Sequence, residues 1–223
     1  MNTYEWNLAT ESAVTFPGMI LWGARSTAPI VPPGRYTARL TADGLTDETV
    51  FEVRRNPWIT DVTEEDMVAQ YEFAVQIRDQ VDEANGSVIA IRRMKYQLQE
   101  RLEASDDPAL ARTAEALHTA ASDVESMLYQ VKNRAGQDPL NFPIRVNNRL
   151  ANLIGMVQRG DGRPNDGMYE VFDIMVERLA GLTGQPDAVW ESEMAAVNVE
   201  LRRLGMDELD PWDEETPILT PQE

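Results

Sequence analysis

The sequence predicts an α+β chain: a short, partial immunoglobulin-like β-sandwich segment followed by an antiparallel up-and-down α-helical bundle. Before residue 56, apolar and polar residues alternate in short runs separated by turn residues, as is typical of strands. After that point, apolar residues recur every three or four positions over long stretches, which indicates helices with one buried face. We therefore divide the chain into a β segment (1–56), a helical bundle (57–206) and an acidic tail (207–223) that we expect to be disordered.

The β segment contains too few predicted strands for a complete sandwich. Its last hairpin has the strongest signals, because Tyr36, Ala38 and Leu40 alternate on one face and Asp43-Gly44 is a typical hairpin turn. About four strands are predicted in all, over residues 4–8, 19–22, 35–40 and 50–53. An immunoglobulin-like sandwich needs about seven. We therefore expect the missing strands upstream of the first residue, and we expect the segment to cover its apolar face on the helices, another chain or an upstream region.

The helices are predicted from their caps and their apolar stripes. Thr63 and Asp107 are the predicted N-caps of the first two helices, and Pro108 suits the first position of the second. Gly86 lies inside the first helix, where glycine costs roughly 1 kcal/mol and invites a kink, but the stripe continues in phase beyond it. The predicted stripes cover residues 67–102, 110–131, 146–157, 171–179 and 190–204. Long helices with such seams predict an up-and-down bundle.

Composition excludes several classes of function. The net charge of −18 argues against nucleic-acid binding and against anionic membrane surfaces, because like charges repel. The chain has no cysteine, so disulfides, thiolate metal sites and cysteine nucleophiles are excluded. No apolar run is long enough for membrane insertion, and no signal peptide is visible at the N-terminus. A chain expressed as given is therefore expected in the cytoplasm.

No catalytic, cofactor-binding or metal-binding residue is assigned from the sequence, and ligand-binding residues stay unknown. The only histidine, His118, stands in a Glu-x-x-His sequence, but a carboxylate-bridged di-iron site needs that motif twice. No nucleotide-binding glycine motif and no nucleophile elbow occurs. A glycoside hydrolase would need only two carboxyls about 5 to 10 Å apart. The acids are predicted instead on solvated helix faces, notably Glu64, Glu65, Asp66, Asp79, Asp82 and Glu83.

Three tryptophans form one candidate binding element. Trp6, Trp22 and Trp58 lie in or beside the β segment, where aromatic rings could stack on a carbohydrate. Packing is the simpler interpretation: Trp22 follows an apolar run and is predicted in the core, and Trp58 is predicted to fill the β–α junction.

A polar cluster on the third predicted helix is the other candidate. Arg145 and Arg149 share one helix face and flank Asn147-Asn148. The arginines can pair with acids of the bundle or cap the β–α junction. We favour a buried structural network here over a binding site.

Short segments spread over most of residues 4–204 follow a pattern known from one family. They are Phe16-Pro-Gly-Met-Ile-Leu-Trp22, Pro32-Pro-Gly-Arg-Tyr-Thr-Ala-Arg-Leu40, Phe51-Glu-Val-Arg54, Pro143-Ile-Arg-Val-Asn-Asn-Arg-Leu150, Gly160-Asp-Gly-Arg-Pro164 and Tyr169-Glu-Val-Phe172. In order and spacing they resemble the C-terminal region of large bacterial β-propeller proteins, described as BNR-repeat glycosyl hydrolases or sortilin-like proteins.

This resemblance implies an upstream β-propeller, a secretory signal and a periplasmic or extracellular location. Any hydrolase label of the family concerns the propeller, and no Ser-x-Asp-x-Gly-x-x-Trp box of a propeller blade occurs here. The expected function is thus a non-catalytic accessory module, a fragment without cofactors, whose partner is the propeller region or a chain carrying it and whose ligand is a carbohydrate or a protein. The alternatives are a glycoside hydrolase acting through paired carboxylates and a carbohydrate-binding module using the tryptophans.

Overall fold

The computed structural model describes residues 3–24, 27–183 and 190–220. It confirms the α+β class: the described residues form one two-stranded antiparallel sheet and five α-helices. The elements are β1 (Gly34–Ala42), β2 (Leu45–Val53), α1 (Glu64–Glu103), α2 (Pro108–Leu128), α3 (Val146–Val157), α4 (Asp166–Thr183) and α5 (Glu191–Leu204), with a 3₁₀ turn at Asp138–Leu140.

The β segment has fewer strands than the sequence predicts. The predicted hairpin is present, with Gly34 opposite Val53 and a turn in which Asp43 and Gly44 both have positive φ, at 51° and 77°. Such a turn matches the twist of the flanking strands. Residues 4–8 and 19–22 are not strands, and outside the hairpin the described residues hold only an isolated bridge between Ala9 and Ile30.

Residues 19–22 do not pair as a strand because their backbone groups find hydrogen-bond partners on side chains of the helical body. We call residues 8–24 and 27–31 the N-terminal strap. Its Ile20 amide donates to the Tyr129 hydroxyl at 3.0 Å, and its Ile30 amide donates to Gln158 Oε1 at 2.6 Å. Side chains of the helical body thus satisfy backbone groups that would otherwise need a neighbouring strand.

The 40-residue helix α1 is the longest element, about 60 Å at 1.5 Å per residue. Its start is fixed by a reciprocal capping box: Thr63 Oγ1 accepts from the Asp66 amide, and Asp66 Oδ2 accepts from the Thr63 amide, both at 3.1 Å. Hydrogen bonds from Thr63, followed by one from Arg163, lower the pKa of Asp66 to about 2. The predicted N-cap is therefore confirmed, and the carboxylate that completes it is ionised at neutral pH.

The predicted stripes form the core. Helix α1 packs against α2, α3 and α4, and α2 also packs against α5. The largest fully buried side chains come from all of these helices and from the residue that follows α2; they are Tyr129, Phe73, Ile77, Ile91, Met94, Leu110, Leu117, Leu128, Leu150, Ile154, Leu179 and Leu201. Residues 184–189, between the last two predicted stripes, lie outside the described residues, and α4 continues to Thr183. No helix in the described part of the chain combines the length and the apolar character needed to cross a membrane.

The tail differs from the expected disorder over residues 207–220, which lie along α1. Gln97 Nε2 donates to the Asp210 carbonyl and to Thr216 Oγ1, both at 2.8 Å, and Gln97 Oε1 accepts from the Asp210 amide. Leu209 is buried. The composition of the tail predicted disorder because acids and prolines dominate it. In the structure the buried Leu209 and the hydrogen bonds of Gln97 attach it to the helices.

A prediction on stability concerns Gly86, which lies inside α1 with helical neighbours on both sides. A methyl group there would meet no atom of the described residues within 4 Å. We expect Gly86→Ala to raise the free energy of unfolding by about 0.5–1 kcal/mol, because alanine loses less backbone entropy in a helix. Urea unfolding measures this. The matched variant Gly44→Ala should lower stability, since Gly44 needs a positive φ.

Candidate functional site

The hairpin presents one apolar face that the rest of the chain covers only at its base. The register places Tyr36 opposite Phe51 and Ala42 opposite Leu45, so these side chains share a face with Leu40. Leu40 is 69% exposed and Leu45 is 77% exposed. On the same face Asp47 stands opposite Leu40 and Thr49 stands opposite Ala38, so the free end of the face carries two exposed leucines beside one carboxylate.

The base of the same face is covered by one aromatic cluster. The Trp6 ring lies 5.6 Å from the Tyr36 ring and 5.9 Å from the Phe51 ring, both edge-to-face. Its indole nitrogen donates to the Ala9 carbonyl at 2.7 Å. Among the described elements, neither strand makes a close backbone contact with any helix. The hairpin is therefore attached at its base and otherwise stands away from the helical body.

The opposite face of the hairpin is mostly polar, with the exposed Val50 opposite Thr37. It carries Arg39 and Glu48 on facing positions, joined by an exposed ion pair at 2.6 Å. Both outer edges of the sheet lack a neighbouring strand within the described residues. A two-stranded sheet without a covering layer is only marginally stable in water.

The asparagine pair of the predicted polar cluster holds the strap. Asn148 Oδ1 accepts from the Trp22 amide at 2.7 Å, and Asn148 Nδ2 donates to the Trp22 carbonyl at 2.9 Å. Asn147 Nδ2 donates to Asn85 Oδ1 at 3.1 Å, and Asn85 Nδ2 donates to the Val14 carbonyl at 2.6 Å. Both asparagines of the pair are buried. They form a structural network that fixes an extended backbone on the helices.

The two arginines of that predicted cluster are placed differently. Arg149 is exposed and points away from the strap network, whereas Arg145 is half-buried and precedes α3 as its N-cap residue. The structure therefore brings Asn147 and Asn148 together with the strap, but it does not assemble the four residues into one site.

A second polar cluster lies deeper, between α1, α2 and the strap. Arg92 Nε donates to Glu125 Oε1 at 2.7 Å, and Lys95 Nζ donates to Glu125 Oε2 at 2.8 Å. The Arg92 guanidinium also stacks on Phe16, with its central carbon 4.7 Å from the ring centroid, and lies 5.5 Å from the Tyr129 ring centroid. We call Arg92, Lys95 and Glu125 the buried charge cluster.

Glu125 is the only buried Asp or Glu among the described residues. Burial by itself would raise its pKa, but the charges and hydrogen bonds of Lys95 and then Arg92 outweigh burial and hold the pKa below its ordinary value. The carboxylate is therefore ionised at neutral pH. A general acid of a glycoside hydrolase needs the opposite shift.

Two cavities open beside the buried charge cluster, between α1 and α2. The charged one, of about 320 Å³, is lined by residues that include Arg92, Lys95, His118, Ser122, Glu125 and Arg134. The apolar one, of about 540 Å³, is lined by residues that include Leu98, Leu102, Ala111 and Ala114. Lys95, His118 and Leu219 line both cavities, so the two adjoin.

His118 stands on the exposed side of α2 at the junction of these cavities. Partial loss of hydration, followed by the positive charge of Lys95, lowers its pKa, against the opposing effect of Glu125. The imidazole is therefore neutral at pH 7 and can both donate and accept a hydrogen bond. His118 is thus a helix-surface residue that also lies at the mouth of two cavities.

The other predicted acids are dispersed. Glu64, Glu65, Asp79 and Glu83 are exposed, while Asp82 accepts from the Val14 amide and so serves the strap. Within residues 3–24, 27–183 and 190–220, no group of three or more His, Asp or Glu side chains is placed to hold a metal ion.

The tryptophans do not lie where packing was predicted. Trp22 is 36% exposed rather than in the core, because Asn148 holds its backbone at the surface. Trp58 is 89% exposed and does not fill the β–α junction. Trp6, for which no position was predicted, packs on the base of the hairpin.

The buried charge cluster was not predicted from the sequence, although the spacing of two of its residues indicates it. Arg92 follows the buried Val88 by four positions, and Glu125 follows the buried Ala121 by four positions. A charged residue at the spacing of an apolar stripe indicates a buried charge that needs a partner.

The chain matches no known protein family, no curated protein and no solved structure.

Proposed function

We propose that this chain is a non-catalytic accessory module that lies C-terminal to a secreted β-propeller of the glycosyl hydrolase-like kind, within a longer protein. The observation that carries the proposal is the exposure of two leucines, Leu40 and Leu45, on the one face of the hairpin that is otherwise packed at its base. This face docks on β-strands of the upstream propeller region or of a partner chain that carries it. The corresponding location is the periplasm or the cell exterior.

The hairpin serves as the last two strands of an immunoglobulin-like sandwich in this proposal. Tyr36 supports this role, because it lies near the start of β1 and its hydroxyl donates to the Pro32 carbonyl, four residues upstream, at 2.6 Å. A tyrosine with this backbone hydrogen bond is a recurrent corner of immunoglobulin-like domains. Burial raises the pKa of Tyr36, so the hydroxyl keeps its proton. The remaining strands then cover Leu40 and Leu45.

The helical body serves as a rigid platform in this proposal, arranged as an up-and-down bundle. The strap supports this interpretation, since side chains of α1, of α3 and of Gln158 at the end of α3 hold the strap backbone. The strap leads directly into the hairpin, whose base packs on Trp6, so the hairpin leaves the helical body from a fixed point.

We expect Leu40→Asp to weaken binding of the separately expressed β-propeller polypeptide of the same genome by at least tenfold, because an unpaired carboxylate would be buried in the contact. The matched control is Thr37→Asp, on the polar face of the same strand, which should bind as the wild type does. Titration calorimetry measures both. Both positions are exposed, so the free chain should keep its fold, with Leu40→Asp costing the hairpin about 0.2–1 kcal/mol because the new carboxylate faces Asp47.

Three results would contradict the proposal. One is equal binding of the Leu40→Asp and Thr37→Asp variants. Another is hydrolysis of an aryl glycoside by the chain alone that disappears when a single carboxylate is neutralised, which would favour a glycoside hydrolase. The last is glycan binding that Trp22→Ala or Trp58→Ala abolishes in a folded protein, which would favour a carbohydrate-binding module.

A further inference from the structure

Several cationic side chains line the charged cavity, although the chain has fewer basic than acidic residues. The sequence has 20 Lys and Arg against 38 Asp and Glu, and its only histidine is His118. Arg92, Lys95, Arg134 and that histidine nevertheless line one cavity, with Glu125 as the only carboxylate among its lining residues. Among the described lining residues, three cations and one anion give this cavity a formal charge of about +2, while Glu103 and Glu115 line the adjoining cavity, so the attraction for an anion is confined to the charged cavity.

The buried charge cluster contains a hydrogen-bond donor that has no acceptor among the described residues. Arg92 is buried, with Nε committed to Glu125 and Nη1 only 3.5 Å from the Pro17 carbonyl. Its Nη2 is buried and has no hydrogen-bond partner within the described part of the chain. A buried guanidinium nitrogen without an acceptor is costly, and an anion in the adjacent cavity would relieve that cost.

Arg134 supplies an adjustable second contact from the rim. It is exposed, and its Nη1 donates to the Val131 and Asn133 carbonyls, at 2.9 and 3.2 Å. These bonds hold the guanidinium beside the cavity that it lines. Ser122 adds a hydroxyl to the same lining. The donors therefore come from two helices and from the segment after α2.

The apolar cavity continues from the charged one. The side chains of Leu98, Leu102 and Ala114 form part of its wall, and Lys95, His118 and Leu219 stand where the two cavities meet. A ligand that fills both must have an anionic end and an apolar chain. Glu103 and Glu115 also line the apolar cavity, so a doubly charged phosphate is disfavoured relative to a single negative charge.

We propose that these two cavities form a binding site for a monocarboxylate with an apolar chain, whose carboxylate contacts Arg92, Lys95 and Arg134 and whose chain lies along Leu98 and Ala114. The site is independent of the hairpin face and of the docking function proposed above. It lies between α1 and α2, and it involves no bond making or breaking.

Octanoate is the probe for this site, measured by titration calorimetry on the full chain at neutral pH. We expect saturable binding of one octanoate, and we expect Arg134→Met to weaken it about tenfold or more, the loss typical of one charge-assisted hydrogen bond. Ala111→Glu, at an exposed position that lines the apolar cavity, should weaken it similarly by placing a carboxylate beside the chain. Both variants change exposed residues, so the fold should be retained.

The matched control is Arg112→Met, which removes an equivalent positive charge but lies outside both cavities. It should bind octanoate as the wild type does. Octanol, which has the chain without the charge, should bind at least tenfold more weakly than octanoate. Acetate, which has the charge without the chain, should also bind more weakly than octanoate, because the chain contributes to binding. The proposal is overturned if octanol binds as well as octanoate, if inorganic phosphate binds more tightly, if Arg112→Met weakens binding as much as Arg134→Met, or if octanoate does not bind.

Discussion

Replacing Glu125 by glutamine should lower the free energy of unfolding by about 3–5 kcal/mol, the loss expected when one member of a buried ion pair is neutralised. Glu125 pairs with both Arg92 and Lys95 in the buried charge cluster, at 2.7 and 2.8 Å. The amide cannot compensate the two cations, and Arg92 in particular would remain buried without a counter-charge. Urea unfolding followed by circular dichroism measures the loss.

The matched control is Glu115→Gln, on the exposed side of the same helix, which should change stability by no more than about 0.5 kcal/mol. The double variant Arg92→Met/Glu125→Leu should be less destabilised than the sum of the single losses, since it removes charge and counter-charge together. Equal stabilities of Glu125→Gln and Glu115→Gln would contradict the buried ion pair.

The same residue gives the chain an acid-dependent stability. The native state holds the pKa of Glu125 below its ordinary value of 4.5, so the unfolded state binds the proton more readily. The contribution of Glu125 is therefore fully present above about pH 4.5 and is lost as the pH falls through the native pKa. The stability difference between wild type and Glu125→Gln should shrink below that pH, whereas an unchanged difference would contradict this sign.

Phe16→Ala should also cost about 3–5 kcal/mol of unfolding free energy, because it removes the largest buried anchor of the strap. The ring is 4% exposed, packs edge-to-face on Tyr129 at 5.0 Å and lies beneath the Arg92 guanidinium. Its loss would leave a cavity and would withdraw the aromatic face from a buried cation. Thermal and urea unfolding both report this loss.

Val14→Ala tests whether the effect belongs to the ring rather than to the strap in general. Val14 lies two residues away and is 41% exposed, and its backbone bonds with Asp82 and Asn85 do not depend on its side chain. We expect a change within about 0.5 kcal/mol. A Phe16→Ala protein as stable as Val14→Ala would show that the strap is not part of the core.

The helices could be predicted from the sequence because each needs only local signals. Thr63 and Asp107 are the observed N-caps of α1 and α2, and Asn165 Oδ1 accepts from the Met168 amide at the start of α4. The stripes are buried as predicted, with exceptions at their ends and edges, such as the half-buried Leu102 and the 47% exposed Val171. Local chemistry sets these elements, so a local pattern reveals them.

The strap could not be predicted because its partners are distant in sequence, and the stripe spacing of Arg92 and Glu125 indicates that each is buried but not that they pair with each other. The Trp22 backbone bonds to a side chain 126 residues away, and that of Ile30 to one 128 residues away. Alternation of apolar and polar residues there indicated strands, but alternation shows only an extended backbone, not which group accepts its hydrogen bonds. The exposed hairpin face, by contrast, follows from Tyr36, Ala38 and Leu40 sharing one side of a strand with no partner layer.

Amide hydrogen exchange over the hairpin tests the docking proposal most directly. In the isolated chain we expect the amides of β1 and β2 to exchange far faster than those of the buried face of α1, because a two-stranded sheet with an open apolar face opens readily. Adding the β-propeller polypeptide should protect the hairpin in the wild type and in Thr37→Asp but not in Leu40→Asp. A hairpin as protected as α1 in the isolated chain, or one that gains no protection on addition, would contradict the account.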